Sequence, residues 1–242
     1  MRDINFKIIE NKKIARDIYK MILAGDTSDI KNPGQFVNVK LPFQYLRRPL
    51  SVCDYNDGEL TLIYKTVGSG TNFMSTLKNG DVLSILSGLG NGYEIIKSDE
   101  PVLIGGGVGI PPLYALAKRL IENNIRPEII LGFNNFEDVF FEEEFKALDL
   151  NVKIATLDGS YGSKGLVTDF IKNNQYAYAC GPLAMLKAVY KKIHDGQFSF
   201  EARMGCGFGV CMGCSMKTNS GFKRICTDGP VFKYSEIIWE ND

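Results

Sequence analysis

The sequence lacks the features on which several classes of protein depend. Its 28 Lys and Arg are balanced by 28 Asp and Glu, and without a basic tract a nucleic-acid partner has no electrostatic support. The N-terminal stretch MRDINFKIIENKK has no apolar segment of the kind that forms a signal peptide. The longest uncharged run, PVLIGGGVGIPPLYALA, is broken by four Gly and two adjacent Pro and is short for a bilayer span. We therefore expect a soluble, cytoplasmic protein that binds neither nucleic acid nor membrane.

Histidine is also nearly absent, and cysteine is unevenly distributed. The single histidine, His194, ends a Lys-rich helical pattern, so we expect it to be exposed near a helix C-terminus rather than to bind a metal. Four of the six cysteines lie between Glu201 and Cys226. Because disulfides are rare in the cytoplasm, this clustering favours metal ligation or redox chemistry.

The pattern of apolar residues divides the 242-residue chain into three parts, and the predicted fold class is α+β, multidomain. Residues 1–97 contain short alternating or β-branched runs such as QFVNVKL and ELTLIYKTV, with a YNDG turn, and predict a small antiparallel β-barrel. Residues 98–196 alternate strands with helices and predict an α/β domain with a parallel sheet. Residues 197–242 are short, Gly-rich and Cys-rich, and predict a small separate domain.

Local patterns predict the individual elements of the second part. We predict strands at PVLIGG, PEIILGF, NVKIAT and YAYAC. We predict helices from about residue 111 to 123 and at FEEEFKAL, LVTDFIKNN and PLAMLKAVYKKIH. The helices would supply the crossover connections that parallel strands need.

Two short motifs in the barrel are suited to a diphosphate. LRRPLS (46–51) places an Arg near a predicted barrel rim, where a guanidinium can bind phosphate oxygens by two parallel contacts. IYKTVGSGT (63–71) ends in a Gly-x-Gly-Thr turn ahead of a helix, whose N–H groups can bind the same anion. Each motif alone is better explained by a surface Arg or an ordinary turn, since short motifs often match by chance. Together, ahead of a nucleotide-type domain, they favour flavin binding.

Two motifs in the second part are suited to a dinucleotide. IGGGVGIPP enters a helix, and its glycines let the backbone approach a diphosphate, although the spacing is not G-x-G-x-x-G and a tight connection has the same pattern. Cys180-Gly181-Pro182 places a thiol at the carboxyl edge of the sheet, where ligands bind, unless Cys180 is simply a small buried residue. The stretch from Gly132 to Phe145 is acidic and holds no Arg or Lys, which favours NAD over NADP.

The four clustered cysteines are the most specific signal in the chain. Their spacing is Cys206-x4-Cys211-x2-Cys214-x11-Cys226, and the first three match the plant-type ferredoxin run that holds a [2Fe–2S] cluster. The glycines between them allow positive φ angles and close approach of N–H groups to sulfur. A structural zinc site usually uses two Cys-x2-Cys pairs, and only Cys211 and Cys214 have that spacing. An iron–sulfur cluster is favoured, with zinc and disulfides as alternatives.

These motifs together resemble a known family. The order of barrel, nucleotide domain and cysteine segment is similar to the ferredoxin reductase superfamily. EARMGCGFGVCMGC followed by CTDGPVF resembles the electron-transfer subunits of the two-subunit, NAD-linked dihydroorotate dehydrogenase, type B. The resemblance covers essentially the whole chain and implies that FAD is bound by Arg48, Pro49, Leu50, Ser51, Ile63, Tyr64, Lys65, Gly70 and Thr71. It implies that NAD is bound by Gly105, Gly106, Gly107, Val108, Gly109 and Cys180.

One residue departs from the family's Arg-x-Tyr-Ser flavin motif, because Leu50 stands where the family has Tyr. The resemblance implies that Arg48 contacts the FAD diphosphate and that Ser51 lies near the reactive edge of the flavin ring. An aliphatic side chain then covers the flavin where an aromatic ring normally packs. No residue of this chain is expected to be catalytic toward dihydroorotate.

The resemblance further implies a partner subunit that holds FMN and oxidises dihydroorotate to orotate, in pyrimidine biosynthesis. Electrons would pass from that FMN through the cluster to FAD and then to NAD as hydride, in a heterotetramer of two copies of each subunit. We expect the apolar side chains around the thiolates, Met204, Phe208, Val210 and Met212, to face the partner. Two other functions remain open at this point. One is an NAD(P)H:ferredoxin or sulfide-linked reductase subunit, and the other is a zinc-stabilised nucleotide-binding regulator without turnover.

Overall fold

The first 90 residues form strands in which apolar and polar residues alternate, and these strands close into a barrel. The computed structural model describes residues 1–98 and 100–239. The barrel strands are β1 (Arg2–Ala15), β2 (Ile18–Ala24), β3 (Phe36–Val39), β4 (Arg48–Asn56), β5 (Glu59–Lys65) and β6 (Val82–Leu89). They pair antiparallel in the order β1-β2-β5-β4-β3-β6, and β6 pairs with β1 to close the ring. The predicted antiparallel barrel is confirmed.

Turn chemistry and burial determine how the barrel strands are placed. The predicted YNDG turn joins β4 to β5, and Gly58 has the positive φ (86°) that this tight turn requires. On β3, Val37 and Val39 are fully buried in the barrel interior. Because side chains alternate along a strand, Phe36 and Asn38 lie on the outer face of the barrel.

A second sheet follows, as predicted. It contains β7 (Val102–Gly106), β8 (Glu128–Phe133), β9 (Val152–Thr156), β10 (Ser163–Lys164), β11 (Tyr176–Cys180), β12 (Asp195–Ser199) and β15 (Val231–Lys233). Their order is β10-β9-β8-β7-β11-β12-β15, and every pairing except that of β12 with β15 is parallel. The helices of the described residues are α1 (Ser69–Met74) beside the barrel, then α2 (Pro111–Glu122), α3 (Glu142–Lys146) and α4 (Leu183–Tyr190).

Two helix predictions differ from the structure. The stretch LVTDFIKNN forms only a 3-10 turn over Val167–Phe170, so the predicted α-helix there is wrong. Its Asp169 side chain accepts the Leu166 N–H (2.8 Å), which favours a short capped turn over a longer helix. The last helix ends at Tyr190 rather than reaching His194. His194 is exposed as predicted, but it lies in the bend before β12.

The cysteine segment is joined to the second sheet at both ends. The predicted boundary between residues 196 and 197 falls inside β12, which pairs in parallel with β11. After the cysteines Cys206 to Cys214, β13 (Ser215–Thr218) and β14 (Gly221–Arg224) form an antiparallel hairpin, and β15 then returns to pair with β12. Residues 240–242, which complete the predicted third domain, lie outside the described residues.

The barrel and the second sheet share buried contacts. Lys118 on α2 forms an ion pair with Asp54 on β4 (2.8 Å). The Tyr93 hydroxyl, deeply buried, donates to the Ala179 carbonyl oxygen (3.1 Å). Such contacts fix the carboxyl edge of the second sheet against the outer face of the barrel. In the part of the chain described, no helix is long and apolar enough to cross a membrane.

Candidate functional site

All three parts of the chain line one cavity of about 460 Å³, a volume in the range of roughly 300–1,000 Å³ that is usual for ligand sites. The barrel contributes Pro49, Leu50, Ser51 and Lys65. The second sheet contributes Gly106, Gly107, Val108, Gly109 and Cys180, and the segment before the cysteines contributes Glu201, Ala202 and Met204. Residues predicted for flavin and for NAD therefore meet at one site, at the carboxyl edge of the parallel sheet where ligands are expected.

Arg48 lies next to the predicted Gly-Ser-Gly-Thr turn. Its guanidinium packs on Gly70 so closely that a Cβ at position 70 would lie 2.7 Å from Arg48 Nε. Arg48 Nη1 donates to the Leu46 carbonyl oxygen (2.7 Å), and Nη2 donates to Gln44 Oε1. The Arg and the turn thus share one place on the barrel, as a common diphosphate site requires.

Three other predicted flavin residues have their side chains turned away from the cavity. Ile63 is buried against the core of the second sheet, and Tyr64 is buried in the barrel, where its hydroxyl donates to Asn11 Oδ1 (2.9 Å). The Thr71 hydroxyl oxygen accepts the N–H groups of Val67 (2.9 Å) and Gly68 (3.3 Å). These side chains shape the barrel and the turn, so any ligand contact they make is through the backbone.

The Gly-rich turn is built for close backbone approach. Gly107, Val108 and Gly109 form a 3-10 turn after β7, and Gly107 (φ 51°) faces open space at the cavity. Gly109 packs against the peptide between Cys180 and Gly181, where any Cβ would collide with the Cys180 carbonyl group. The turn and the Cys-Gly-Pro segment are therefore one packed unit.

The helix that follows this turn offers fewer donors than a usual helix start. Pro111 and Pro112 occupy the first two positions of α2 and carry no N–H group. Two of the four N–H groups that normally remain free at a helix start are therefore absent. The glycine backbone, rather than the helix end, supplies most of the donors that the sequence assigned to a diphosphate.

Cys180 is a buried, neutral thiol at the cavity wall. Burial is the main cause that raises its pKa to about 12, and a hydrogen bond with Ser199 opposes the rise in part. The raised pKa favours the protonated thiol over the nucleophilic thiolate at neutral pH. Cys180 lies at the end of β11, at the carboxyl edge of the sheet, and its contact with a nicotinamide stays a prediction.

The acidic stretch after β8 carries less free negative charge than its sequence indicates. Arg16, in the turn between β1 and β2, donates to Glu137 Oε2 (2.6 Å) and to Asp138 Oδ1 (2.8 Å). The Arg16 N–H also donates to the Glu137 carbonyl oxygen (3.0 Å). Arg16 and Asp138 both line the cavity. No local pattern indicates this contact between the barrel and the second sheet, because Arg16 lies in an ordinary turn.

The hairpin of β13 and β14 explains the eleven-residue gap before the last cysteine. Cys214 precedes β13 and Cys226 follows β14, and the Ile225 N–H donates to the Cys214 carbonyl oxygen (3.1 Å). Cys214 and Cys226 are buried, whereas Cys211 is exposed. Arg224 Nη1 donates to the Gly209 carbonyl oxygen (3.0 Å) and so ties the hairpin to the loop of the first cysteines.

Among the four thiols, Cys206 contacts Cys211 and Cys226 contacts Cys214, and Cys206 is also near enough to Cys226 to raise its pKa. Burial tends to raise the pKa of Cys206, but the N–H groups of Cys211 and Phe208, together with the Cys211 thiol, lower it to about 6. Burial and the neighbouring Cys214 thiol raise the pKa of Cys226 to about 11. Within residues 1–98 and 100–239, no three His, Cys, Asp or Glu side chains converge closely enough to hold one metal ion. The arrangement is two pairs of cysteines, with backbone donors directed at sulfur.

Comparison with known proteins agrees with this arrangement. The family model described as the iron-sulfur cluster binding domain of dihydroorotate dehydrogenase B matches residues 201–238. The model described as the oxidoreductase NAD-binding domain matches residues 103–191. The electron transfer subunit of dihydroorotate dehydrogenase B (NAD(+)) from Fusobacterium nucleatum is 42% identical over 94% of this chain and 95% of its own length. The corresponding subunit from a Geobacillus strain is 41% identical over 98% of this chain and 99% of its own.

The chain belongs to the family of dihydroorotate dehydrogenase B electron transfer subunits. As a member of that family it is the electron transfer subunit of an NAD-dependent oxidoreductase of pyrimidine biosynthesis, with an iron–sulfur binding domain and an NAD-binding domain. Its place as a subunit implies a catalytic partner. The predicted family and function are confirmed.

Solved structures share the fold of this electron transfer subunit. A chain of an NADH-dependent reduced ferredoxin-NADP oxidoreductase is 31% identical, with a TM-score of 0.87 over 97% of this chain and 90% of its own. Phthalate dioxygenase reductase, at 20% identity, has a TM-score of 0.65 over 90% of this chain and 87% of its own, and shows a common fold.

Proposed function

We propose that this chain binds FAD at the barrel and a [2Fe–2S] cluster at Cys206, Cys211, Cys214 and Cys226. It passes electrons from an FMN-containing catalytic subunit to NAD, in a heterotetramer with two copies of each subunit. We divide it into a flavin barrel, a nucleotide domain that ends at Ser199, and a cluster segment. The observation that carries the proposal is the single cavity bordered by all three.

The paired thiols support a [2Fe–2S] cluster rather than zinc. Each iron of such a cluster takes two cysteine ligands, so two pairs are the required donor set. A structural zinc ion needs four ligands around one point. Contacts of Cys206 with Cys211 and of Cys226 with Cys214 fit the first requirement. Backbone N–H groups directed at the Cys206 sulfur favour an anionic cluster, as does the Gly209 N–H at Cys226.

The barrel residues support FAD. Arg48 beside Gly70 provides charge and an open backbone for a diphosphate. Pro49 and Ser51 border the cavity where a flavin ring would meet a nicotinamide at Cys180. Leu50, where the family has Tyr, packs partly on the barrel core and also borders the cavity. An aliphatic cover for the flavin is therefore consistent with these positions.

The chemistry explains why three cofactor sites adjoin. A bound flavin converts between the single electrons that an iron–sulfur cluster carries and the hydride that NAD accepts. Oxidation of dihydroorotate to orotate in the partner releases two electrons and two protons. NAD takes both electrons and one proton, and the other proton goes to solvent. The residues of this chain bind and orient these groups, and Gly107, Gly109 and Cys180 hold the nicotinamide side.

Exposed apolar side chains support docking of the partner at the cysteine segment. Phe208 is 42% exposed, Met212 53% and Val210 74%, and all three lie among the proposed cluster ligands. Exposed apolar residues grouped in this way are typical of an interaction surface.

Reconstitution tests the proposal. The purified chain should show flavin and iron–sulfur absorbance, two iron atoms per chain and little zinc. Mixed with the FMN subunit, it should support dihydroorotate-dependent reduction of NAD, whereas neither component alone should do so. Oxidation of dihydroorotate by this chain alone, or a colourless zinc-containing chain, would contradict the proposal.

A further inference from the structure

One buried side chain connects the barrel to the first cysteine of the cluster segment. Asn38 on β3 is only 1% exposed, and its Nδ2 donates to the Cys206 carbonyl oxygen (3.2 Å). Gly207, with a φ of 80°, packs directly on this amide, and a Cβ there would collide with Asn38 Nδ2. Asn38 Oδ1 is buried, and the described residues provide no hydrogen-bond partner for it.

Asn38 also lies next to the proposed flavin wall. It stands directly opposite Pro49 in the pairing of β3 with β4, so the two side chains share the outer face of the barrel. Phe36 and Ser51, the neighbouring pair on that face, border the cavity together with Pro49. The Asn38 amide is thus placed between the cavity wall and the loop of Cys206.

The backbone around Asn38 is held by charged groups. Arg47 Nη1 donates to the Asn38 carbonyl oxygen (3.4 Å), and Arg47 pairs with Asp3 on β1 (2.5 Å). The Ser84 hydroxyl on β6 donates to the same Asp3 carboxylate (2.6 Å). Strands β1 and β6 and the loop before β4 therefore fix the position from which Asn38 reaches the cysteine loop.

We propose that Asn38 is a positioning residue that holds the Cys206 loop against the flavin wall and thereby sets electron transfer between flavin and cluster. The inference rests on the proposed binding of FAD and the cluster. An apolar side chain of similar size would avoid the cost of burying an oxygen without a partner. The hydrogen bond from Asn38 to the proposed cluster ligand Cys206 explains why an amide is present here although one of its polar atoms has no partner among the described residues. The Asn38 amide touches neither the nicotinamide side nor Cys180 in this arrangement, so its effect is confined to the cluster side.

Two variants of Asn38 in the FAD- and cluster-loaded protein test this role. Asn38→Leu removes all polar atoms, and Asn38→Asp keeps the shape but removes the donor to Cys206. Ser87→Ala on β6 is the control, because the Ser87 hydroxyl is also fully buried in the barrel and finds no hydrogen-bond partner among residues 1–98 and 100–239. Three quantities are measured: the rate of FAD reduction by NADH, the rate of the following cluster reduction, and the midpoint potential and EPR spectrum of the cluster.

In both Asn38 variants we expect FAD reduction at the wild-type rate and slower cluster reduction, by at most about fivefold, the factor by which loss of one hydrogen bond shifts the equilibrium of the docked loop. In Asn38→Asp the carboxylate beside the cluster should also shift its midpoint potential to more negative values and alter the EPR spectrum. Loss of iron from Asn38→Leu with an intact NADH reaction would equally support the role.

Three results would overturn the inference. Wild-type cluster kinetics, potential and spectrum in both variants would show that Asn38 does not position the loop. Equal slowing in Ser87→Ala, or loss of FAD together with iron in both Asn38 variants, would show a general requirement for barrel stability. A wild-type chain that holds neither FAD nor iron would instead contradict the proposed function, and the inference with it.

Discussion

At the scale of single residues, substitution of the proposed ligand Cys211 distinguishes electron transfer from the partner from the reaction of FAD with NADH. Cys211 is exposed, and its N–H donates to Cys206 Sγ (3.4 Å), so it belongs to the loop and not to the core. We expect Cys211→Ser to stop transfer between the partner and FAD and to leave NADH-driven reduction of FAD unchanged. Stopped-flow absorbance of the loaded complex, with iron analysis, measures both steps.

The matched control for this variant is Cys180→Ser. It makes the same substitution at a cysteine outside the cluster segment, where Ser199 provides a hydrogen-bond partner. Cys180→Ser should therefore keep its full iron content. If Cys211→Ser lost both reactions, the cysteine would have a role in folding instead of electron transfer.

The protonation of Cys180 gives a prediction about pH. Because burial raises its pKa to about 12, from an ordinary 9.0, the folded chain keeps this proton where the unfolded chain releases it. Its contribution to the free energy of unfolding is therefore complete below pH 9 and is lost as the pH rises toward 12. We expect the rate of FAD reduction by NADH to show the same pH profile from 6 to 8.5 in wild type and in Cys180→Ala. A step in the wild-type profile that the variant lacks would contradict the neutral thiol.

At the scale of elements, the turn between β1 and β2 is joined to the segment after β8 by ion pairs of Arg16 with Glu137 and Asp138. Removal of Arg16 leaves Glu137 and Asp138 without their cation beside a cavity proposed to bind an anionic dinucleotide. We expect Arg16→Ala to weaken NADH binding by about two- to fivefold, the range for exposed charge pairs. The loss should shrink as salt is added, because salt screens exposed charges.

Titration calorimetry at two salt concentrations measures this effect, with Arg126→Ala as the control. Arg126 also forms an exposed ion pair, with Asp149 (2.7 Å), and it does not border the cavity. NADH binding should be unchanged in the control. Equal NADH affinities for wild type and Arg16→Ala at low salt would show that the Arg16 ion pairs do not influence nucleotide binding.

The same scale shows which elements a single sequence can predict. Strands such as YAYAC and the helix at Pro111 have strong local patterns and formed where expected. LVTDFIKNN matched a helical pattern, but the Asp169 side chain accepts the Leu166 N–H and only a 3-10 turn forms. β12 was assigned in part to the cysteine segment, because its pairing with β11 is long-range and leaves no mark in the local sequence.

At the scale of the whole molecule, the sequence motifs could be recognised, but the contacts between the parts that carry them could not be predicted. The cysteine spacing and the Gly-rich turn each follow from neighbouring residues. The contact of Arg16 with Asp138, and of Asn38 with Cys206, depends on how the barrel docks on the second sheet. Docking is determined by buried surfaces distant in sequence, so these residues carry no local signal. The sequence therefore predicted the parts, but not the side chains that connect them.

The surface at the cysteine segment leads to a prediction about assembly. Val210 is 74% exposed between the proposed ligands Cys206 and Cys211. Burial of this apolar side chain by a partner subunit would remove apolar surface from water and so favour association. We expect Val210→Asp to weaken association with the FMN subunit by about tenfold, since a buried, unpaired charge opposes docking. Reduction of FAD by NADH should not change, because Val210 does not border the cavity proposed for that reaction.

The control for Val210→Asp is Val82→Asp. Val82 begins β6 on the barrel and is 59% exposed, so the same charge is introduced on a comparable surface away from the cysteines. Analytical ultracentrifugation of each variant mixed with the FMN subunit gives the affinities. A stronger loss of association in Val82→Asp than in Val210→Asp would move the docking surface to the barrel, and the cluster would then require another route for electrons from the partner.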